Sequence, residues 1–136
     1  MFAAKLAAAS LFVATLVAPA LSKADAPPAP PCFFHEHRVF SVSPVQVEEH
    51  SGKVTTHHLG GVELFVQAEP GLTAEWLRLD LARRFGASAG PRDCAFAFSN
   101  LRAEVDPAGT AFRVRVLASD PQTAEEMLRR SQQLAH

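Results

Sequence analysis
The sequence predicts an α+β domain in which duplicated β-β-α units form a four-stranded, mostly antiparallel sheet with two helices on one face. Three observations lead there. A hairpin pattern followed by a helix pattern closes the chain. The same succession occurs once before. The two copies superimpose with an offset of 50 residues, Val62–Ala68 on Phe112–Ala118 and Thr73-Ala74-Glu75 on Thr123-Ala124-Glu125, without a gap. The repeat is one of architecture, since a few matches over so short a span do not argue for shared ancestry.

The second unit is the clearer. Leu101-Arg102-Ala103-Glu104-Val105 and Phe112-Arg113-Val114-Arg115-Val116 both alternate strictly, with turn chemistry between them at Asp106-Pro107-Ala108-Gly109. Side chains alternate across a strand, so Leu101, Ala103, Val105, Phe112, Val114 and Val116 share a buried face while the arginines and Glu104 face water. A helix follows. Asp120 suits its N-cap and Pro121 its first turn. Glu125 and Glu126 lie early and Arg129 and Arg130 late, as the helix dipole favours. Ala124, Met127, Leu128, Ser131 and Leu134 form its inward stripe.

The first unit has a strand around Val42 to Glu49, a turn at His50-Ser51-Gly52, and a second strand in which Val62, Leu64, Val66 and Ala68 face inward. After a break at Pro70-Gly71, a helix is expected from about Thr73 to Phe85. Ala74, Leu77, Leu81 and Phe85 stand at helical spacing, and Gly86 ends it. Gly90-Pro91 marks the link between the units.

Ahead of the domain, Lys5 precedes an apolar run from Leu6 to Val17, twelve residues (6 to 17). A membrane span needs about 20 apolar residues, so this run reads as a cleavable secretion leader. Small residues offer cleavage after Ala20, Ala24 or Ala26, and Pro27 disfavours the last. The organisation is thus a leader over 1–24, a Pro-rich spacer over 25–31 and a single α+β domain over 32–136. Removing 24 of 136 residues leaves 112 (136 − 24), enough for one core. Lys5 and Lys23 depart, so 11 basic residues (13 − 2) face 14 acidic ones, a net of −3 (11 − 14). That balance excludes a nucleic-acid binder. Arg outnumbers Lys 10 to 3, which suits a GC-rich bacterial genome.

Cys32 and Cys94 both remain after cleavage. In an oxidising compartment they are expected to pair and close a loop of about 60 residues, which stabilises by about 4 kcal/mol in the chain-entropy account. Their spacing is far from the C-x-x-C of redox and metal sites.

Histidine is the residue type that most invites a chemical reading. His35 and His37 flank Glu36 and would share one side of a strand, while His57 and His58 are adjacent. Such groups suit copper or zinc. A simple hairpin around Ser51-Gly52, however, would set His57 and His58 opposite Gln46 and Val45. It would set His35 and His37 opposite Ala68 and Val66, about 30 Å along the sheet, so the two pairs cannot share an ion. Glu48-Glu49 beside His50 reads as a charged hairpin end. Arg102, Arg113 and Arg115 could bind an anion, but interleaved Glu63 and Glu104 make a solvated mixed-charge face the better reading. Phe65 and Trp76 fall out of phase with the inward positions and are candidates for a partner surface, unless Phe33, Phe34 and Phe40 fold over them.

Nothing in the sequence points to catalysis. There is no Tyr, no G-x-S-x-G and no phosphate loop. Gly60-Gly61 reads as a bulge or strand break. The expectation is therefore an exported, periplasmic or secreted, non-catalytic binding or interaction module. It would carry no cofactor, no nucleic acid and no membrane span after cleavage, and its partner would be an envelope protein or a small ligand. The alternative is a periplasmic copper- or zinc-handling protein using the N-terminal histidines.

Overall fold
A computed structural model describes residues 32–86 and 94–135. The leader, the Pro-rich spacer, Gly90-Pro91 and His136 lie outside the described residues. The chain runs through α1 (Phe33–Glu36), β1 (Val39–Ser51), β2 (Val54–Gln67), α2 (Ala74–Gly86), β3 (Arg102–Ala108), β4 (Ala111–Leu117) and α3 (Pro121–Ser131), then a 3-10 turn at Gln132–Leu134. The four strands form one sheet in the order β1-β2-β4-β3, and every neighbouring pair is antiparallel. The expected α+β architecture of two β-β-α units is therefore present. Because β4 lies between β2 and β3, the β2-α2-β3 connection is a split crossover, and each unit contributes one central and one edge strand.

Period-two alternation decides which face is covered. Val62, Leu64 and Val66 of β2 are fully buried and stand opposite Val116, Val114 and Phe112 of β4. Val105 and Ala103 continue the same face across β3. Leu77, Leu81 and Phe85 of α2 and Ala124, Met127 and Leu134 from the α3 end close over it. The helix starts follow the sequence signals. Asp120 Oδ1 accepts from Thr123 N at 2.8 Å, and Thr73 Oγ1 accepts from Trp76 N at 3.1 Å. Each satisfies an amide that the first helical turn leaves unpaired. A single parallel bridge, Val39 to Ala135, ties the end of the described chain back to β1.

Cys32 and Cys94 are joined, with their Cα atoms 5.5 Å apart. The bridge pins α1 to the segment before β3, beside a cluster of rings. Phe33 and Phe34 meet edge to face at 4.9 Å, and Phe96 lies 4.9 Å from Phe34 and 6.2 Å from Phe85. Burying Phe33 and Phe34 on successive positions requires the chain to turn, and the His35 amide donates to Cys32 O at 3.0 Å. His35 and His37 are therefore not on a strand, as the sequence suggested. His35 lies in the single turn of α1, and His37 follows it.

Three further details differ from expectation. The first hairpin turns at Gly52-Lys53, with Ser51 opposite Val54. Gly52 has φ 63°, the positive value needed at the first central position of a type II′ turn. Its register is therefore shifted by two residues, placing His57 opposite Glu48 and His58 opposite Val47. The second hairpin likewise turns at Gly109-Thr110 (Gly109 φ 66°), so Asp106 and Pro107 belong to β3. Pro107 is tolerated because β3 is an edge strand. Ala68 lies just past the end of β2 and is exposed.

Two tests follow from this packing. Replacing Cys32 and Cys94 by Ser is expected to lower unfolding free energy by about 2–5 kcal/mol, read by denaturant titration with and without reductant. The Arg129 and Arg130 guanidinium groups bond the Glu126 carboxylate and lower its pKa from 4.5 to about 2. A carboxylate held below its ordinary value stabilises the fold fully above that value, and the contribution disappears as pH falls through about 2. Glu126→Gln should therefore melt at lower temperature near neutrality and show a shallower loss of stability between about pH 5 and pH 2, followed by circular dichroism.

Candidate functional site
The two hairpins differ greatly in length. β3 and β4 have 7 residues each, whereas β1 has 13 and β2 has 14. β4 pairs with β2 only over Gly61–Gln67, and the contact closes where the Ala118 amide donates to Gly60 O at 2.9 Å. Beyond that point β1 and β2 continue as a two-stranded arm over residues 46–59, ending in the Gly52-Lys53 turn. Residues 46–57 are all exposed. Among the described residues no third strand pairs with either edge of the arm.

Gly60 and Gly61 make the departure possible. Between Val45↔Gly61 and Gln46↔Leu59 the β1–β2 register slips by one residue, leaving Gly60 as the extra residue of a bulge. This is the bulge that the Gly-Gly pair suggested, and bulges bend a strand and increase its twist. Neither position accepts a side chain easily. A Cβ at Gly60 would meet Val47 Cγ2 at 2.0 Å. At Gly61 it would meet the Val116 carbonyl oxygen at 2.1 Å and Leu117 Cα at 3.0 Å.

Beyond the bulge, alternation sorts the arm into two faces. Val47, Glu49, Ser51, Val54, Thr56 and His58 lie on one, and Val47 and Val54 are 36 % and 59 % exposed. Glu48 with His57 opposite, and His50 with Thr55 opposite, lie on the other. There the His57 Nδ1 stands 3.6 Å from Glu48 Oε1, His50 Nε2 stands 3.9 Å from Glu48 Oε2, and His50 Nδ1 is 3.0 Å from Thr55 Oγ1. From sequence His57 is a metal candidate, whereas Glu48 and His50 read only as a charged hairpin end. Their meeting depends on the register of the hairpin, which a two-residue error conceals.

The other candidates are dispersed. His35 is exposed, and His37 is largely covered, its ring tilted against Phe33 at 4.6 Å and its Nδ1 3.5 Å from Glu69 Oε2. Both precede β1, and from Val39 to Glu48 the strand spans about 30 Å, so the four histidines do not form one centre. Among the described residues no group of three or more His, Cys, Asp or Glu side chains could hold a metal ion. Phe65 is half-buried on the uncovered face of the sheet, in line with Ser41, Arg113 and Asp106. Trp76 is 47 % exposed on α2, on the other side of the sheet, with its ring 6.4 Å from Phe33. The two therefore do not share a surface, and the fold-back of the N-terminal aromatics reaches Trp76 through Phe33.

The uncovered sheet face is a ladder of paired charges. Arg115 Nε bonds Glu63 Oε2 at 2.9 Å, Arg113 lies 3.3 Å from Asp106, and Arg102 lies 3.2 Å from Glu104. The Glu63 carboxylate raises the Arg115 pKa further above its ordinary value. With each guanidinium so matched, the face has the mixed-charge character the sequence suggested rather than that of an anion site. A cleft of about 320 Å³ lies at the base of the arm, lined by Val47, Gly60, Asn100, Arg102, Leu117, Ala118 and Ser119. Its lining includes neither a carboxylate nor an imidazole.

The two glycines should respond differently to a methyl group. Gly61→Ala meets backbone that cannot turn aside, and a cost of about 1–3 kcal/mol is expected in denaturant unfolding. Gly60→Ala meets the exposed Val47 side chain, should cost less, and should be partly rescued by Val47→Ala. The same second change should leave Gly61→Ala unrescued. Comparison of the chain with protein-family models, with curated proteins and with solved structures yields no match.

Proposed function
We propose that the chain is an exported, disulfide-stapled, non-catalytic interaction module, and that the β1–β2 arm is the part that meets its partner. The observation that carries this reading is that the arm takes no part in the core. The second unit turns at Gly109-Thr110 and builds its half of the core without any extension. The first unit spends residues 46–59 on a ribbon whose Val47 and Val54 are open to solvent. A two-stranded ribbon alone is marginally stable in water, so exposing one outside the sheet has a cost that contact with a partner offsets. Its unpaired edges are suited to strand addition, in which main-chain hydrogen bonds supply affinity and alternate side chains supply selectivity. An envelope protein fits such a surface better than a small ligand does, since the cleft at the base offers one charged side chain and little enclosure. The Cys32–Cys94 bridge favours an oxidising compartment, in agreement with the leader read from the sequence. Among the described residues no helix is long and apolar enough to cross a membrane.

Photo-crosslinking in the intact cell envelope tests this. A reactive side chain at position 54 is expected to give a discrete protein adduct. That adduct should not form when residues 46–59 are replaced by a two-residue turn, a change that leaves the thermal midpoint of the remaining domain nearly unaltered. An adduct from position 79 on α2 but not from position 54, or from neither, would overturn the reading.

A further inference from the structure
We propose that the partner of the arm is a second copy of the same chain, joined through the open edge of β2, antiparallel, with Thr56 opposite Thr56. The inference rests on the arm being the part that meets a partner, and it names that partner.

The register decides which edge can do this. The Gly52-Lys53 turn closes with Val54 N facing Ser51 O, and bonded and unbonded pairs alternate from there. The main-chain groups of Thr55, His57 and Leu59 therefore point outward from β2, and those of Gln46, Glu48 and His50 outward from β1. Two copies related by a two-fold axis and paired antiparallel set one residue against itself. On β1 every choice is poor. Centring on Glu48 or Glu49 opposes like carboxylates, which is destabilising. Centring nearer the base brings in Pro44, which has no N–H, and centring on His50 leaves one bonded pair before the turn. On β2, centring on Thr55 also leaves one bonded pair. Centring on His57 sets Val54 against Gly60, whose carbonyl already accepts from Ala118 N.

Thr56 remains, and it fits. Thr55 then stands opposite His57 of the second copy, and His57 opposite its Thr55, and each pair can exchange both main-chain hydrogen bonds. Thr56 meets Thr56, a favourable cross-strand pair. Val54, at 59 % the most exposed large apolar side chain among the described residues, gains His58 of the second copy beside it. No carboxylate is set against another, and no proline enters the pairing.

The ends of this pairing match the rest of the molecule. β4 gives way where Ala118 holds Gly60, and the incoming β2 ends at Lys53 opposite Leu59, one position short of that contact. The incoming β2 therefore lies in line with β4, and the incoming β1 in line with β3. Its Gly52-Lys53 turn arrives at the cleft lined by Asn100, Arg102, Leu117, Ala118 and Ser119. Arg102 is the one charged side chain of that lining, and the arriving tip carries Glu48 and Glu49 against a single Lys53. By symmetry both tips and both clefts are engaged at once.

Sedimentation equilibrium of the purified, disulfide-bonded chain tests this, and a reversible monomer–dimer equilibrium is expected. His57→Pro removes an outward N–H of β2 that the arm itself does not use, and should weaken the dimer at least about 10-fold. Glu48→Pro makes the same change on β1 and should leave the dimer intact, with circular dichroism of both variants unchanged. Thr56→Cys gives a second readout that needs no proline. Residues opposed in an unbonded pair have Cα atoms about 4.5 Å apart, within disulfide reach, so mild oxidation should trap a covalent dimer. Thr55→Cys and His57→Cys each face a different residue and should stay largely untrapped. A chain that is monomeric at about 1 mM, a dimer lost in Glu48→Pro but kept in His57→Pro, or trapping at position 55 in preference to 56 would overturn the proposal. After such a result the interaction reading stands if position 54 crosslinks to a protein of another size in the envelope, and falls too if position 54 crosslinks to nothing.

Discussion
The contact on which the architecture rests is the pairing of the two central strands. Leu64 stands opposite Val114, both fully buried, with Val62–Val116 and Val66–Phe112 on either side. These six side chains occupy one face because successive strand residues alternate, and a shift of one residue in this pairing would send the whole set into water. The helices have no other apolar surface of comparable extent to cover, so α2 and α3 take their positions from it. The offset of 50 residues between the units is also the separation of Leu64 and Val114 (114 − 64). Leu64 and Val114 are thus equivalent residues that meet, the flanking pairs Val62–Val116 and Val66–Phe112 are exchanged about them, and the strand order β1-β2-β4-β3 reads the same from either edge, unit for unit.

That near-symmetry shows where the molecule departs from economy. Carried back by 50, the turn residues Gly109 and Thr110 fall on 59 and 60. The second unit reverses there, while the first passes through a bulge at Gly60 and runs on to Gly52-Lys53. The close approach of Gly61 to the Val116 carbonyl keeps the central pairing tight up to that point, and the bulge releases the strand immediately after it. The arm is thus an extension grafted where a short hairpin would have closed. Its residues are accordingly free of the demands that govern the core.

Much of the fold was legible because it follows from local periodicity. The alternation in β3 and β4, the Asp120-Pro121 start of α3 and the inward stripe of α2 are each written in a few adjacent residues. The details that were not legible depend on one backbone angle or on distant packing. Gly52 could occupy either central place of the first turn, and which of them takes the positive φ moves every cross-strand neighbour by two residues. Glu48 and His50 therefore read as a charged hairpin end, and His57 as one of an adjacent histidine pair, until the register is known. His35 and His37 looked like a strand pair because nothing near them announces a helix. The buried pair Phe33-Phe34 and the bridge to Cys94 impose the turn from outside. Phe65 and Trp76 share only the property of being out of phase, and the sheet comes between them.

Edges decide what such an arm can be. Both outer strands of the sheet carry a proline, Pro44 in β1 and Pro107 in β3, and a residue without an N–H interrupts any strand that tries to add there. The arm, past Pro44, has no such interruption and instead carries Glu48, Glu49, Lys53 and three histidines close to its open edges. Charge of this kind discourages indiscriminate pairing while leaving the backbone available to a partner that matches it. The two contacts joining the strands across the ionisable face, His57 with Glu48 at 3.6 Å and His50 with Thr55 at 3.0 Å, lie between exposed side chains, so that face adds little order to a ribbon already at the limit of stability. A partner strand added along an open edge, as proposed above, would supply that order at the tip, where the sheet cannot reach.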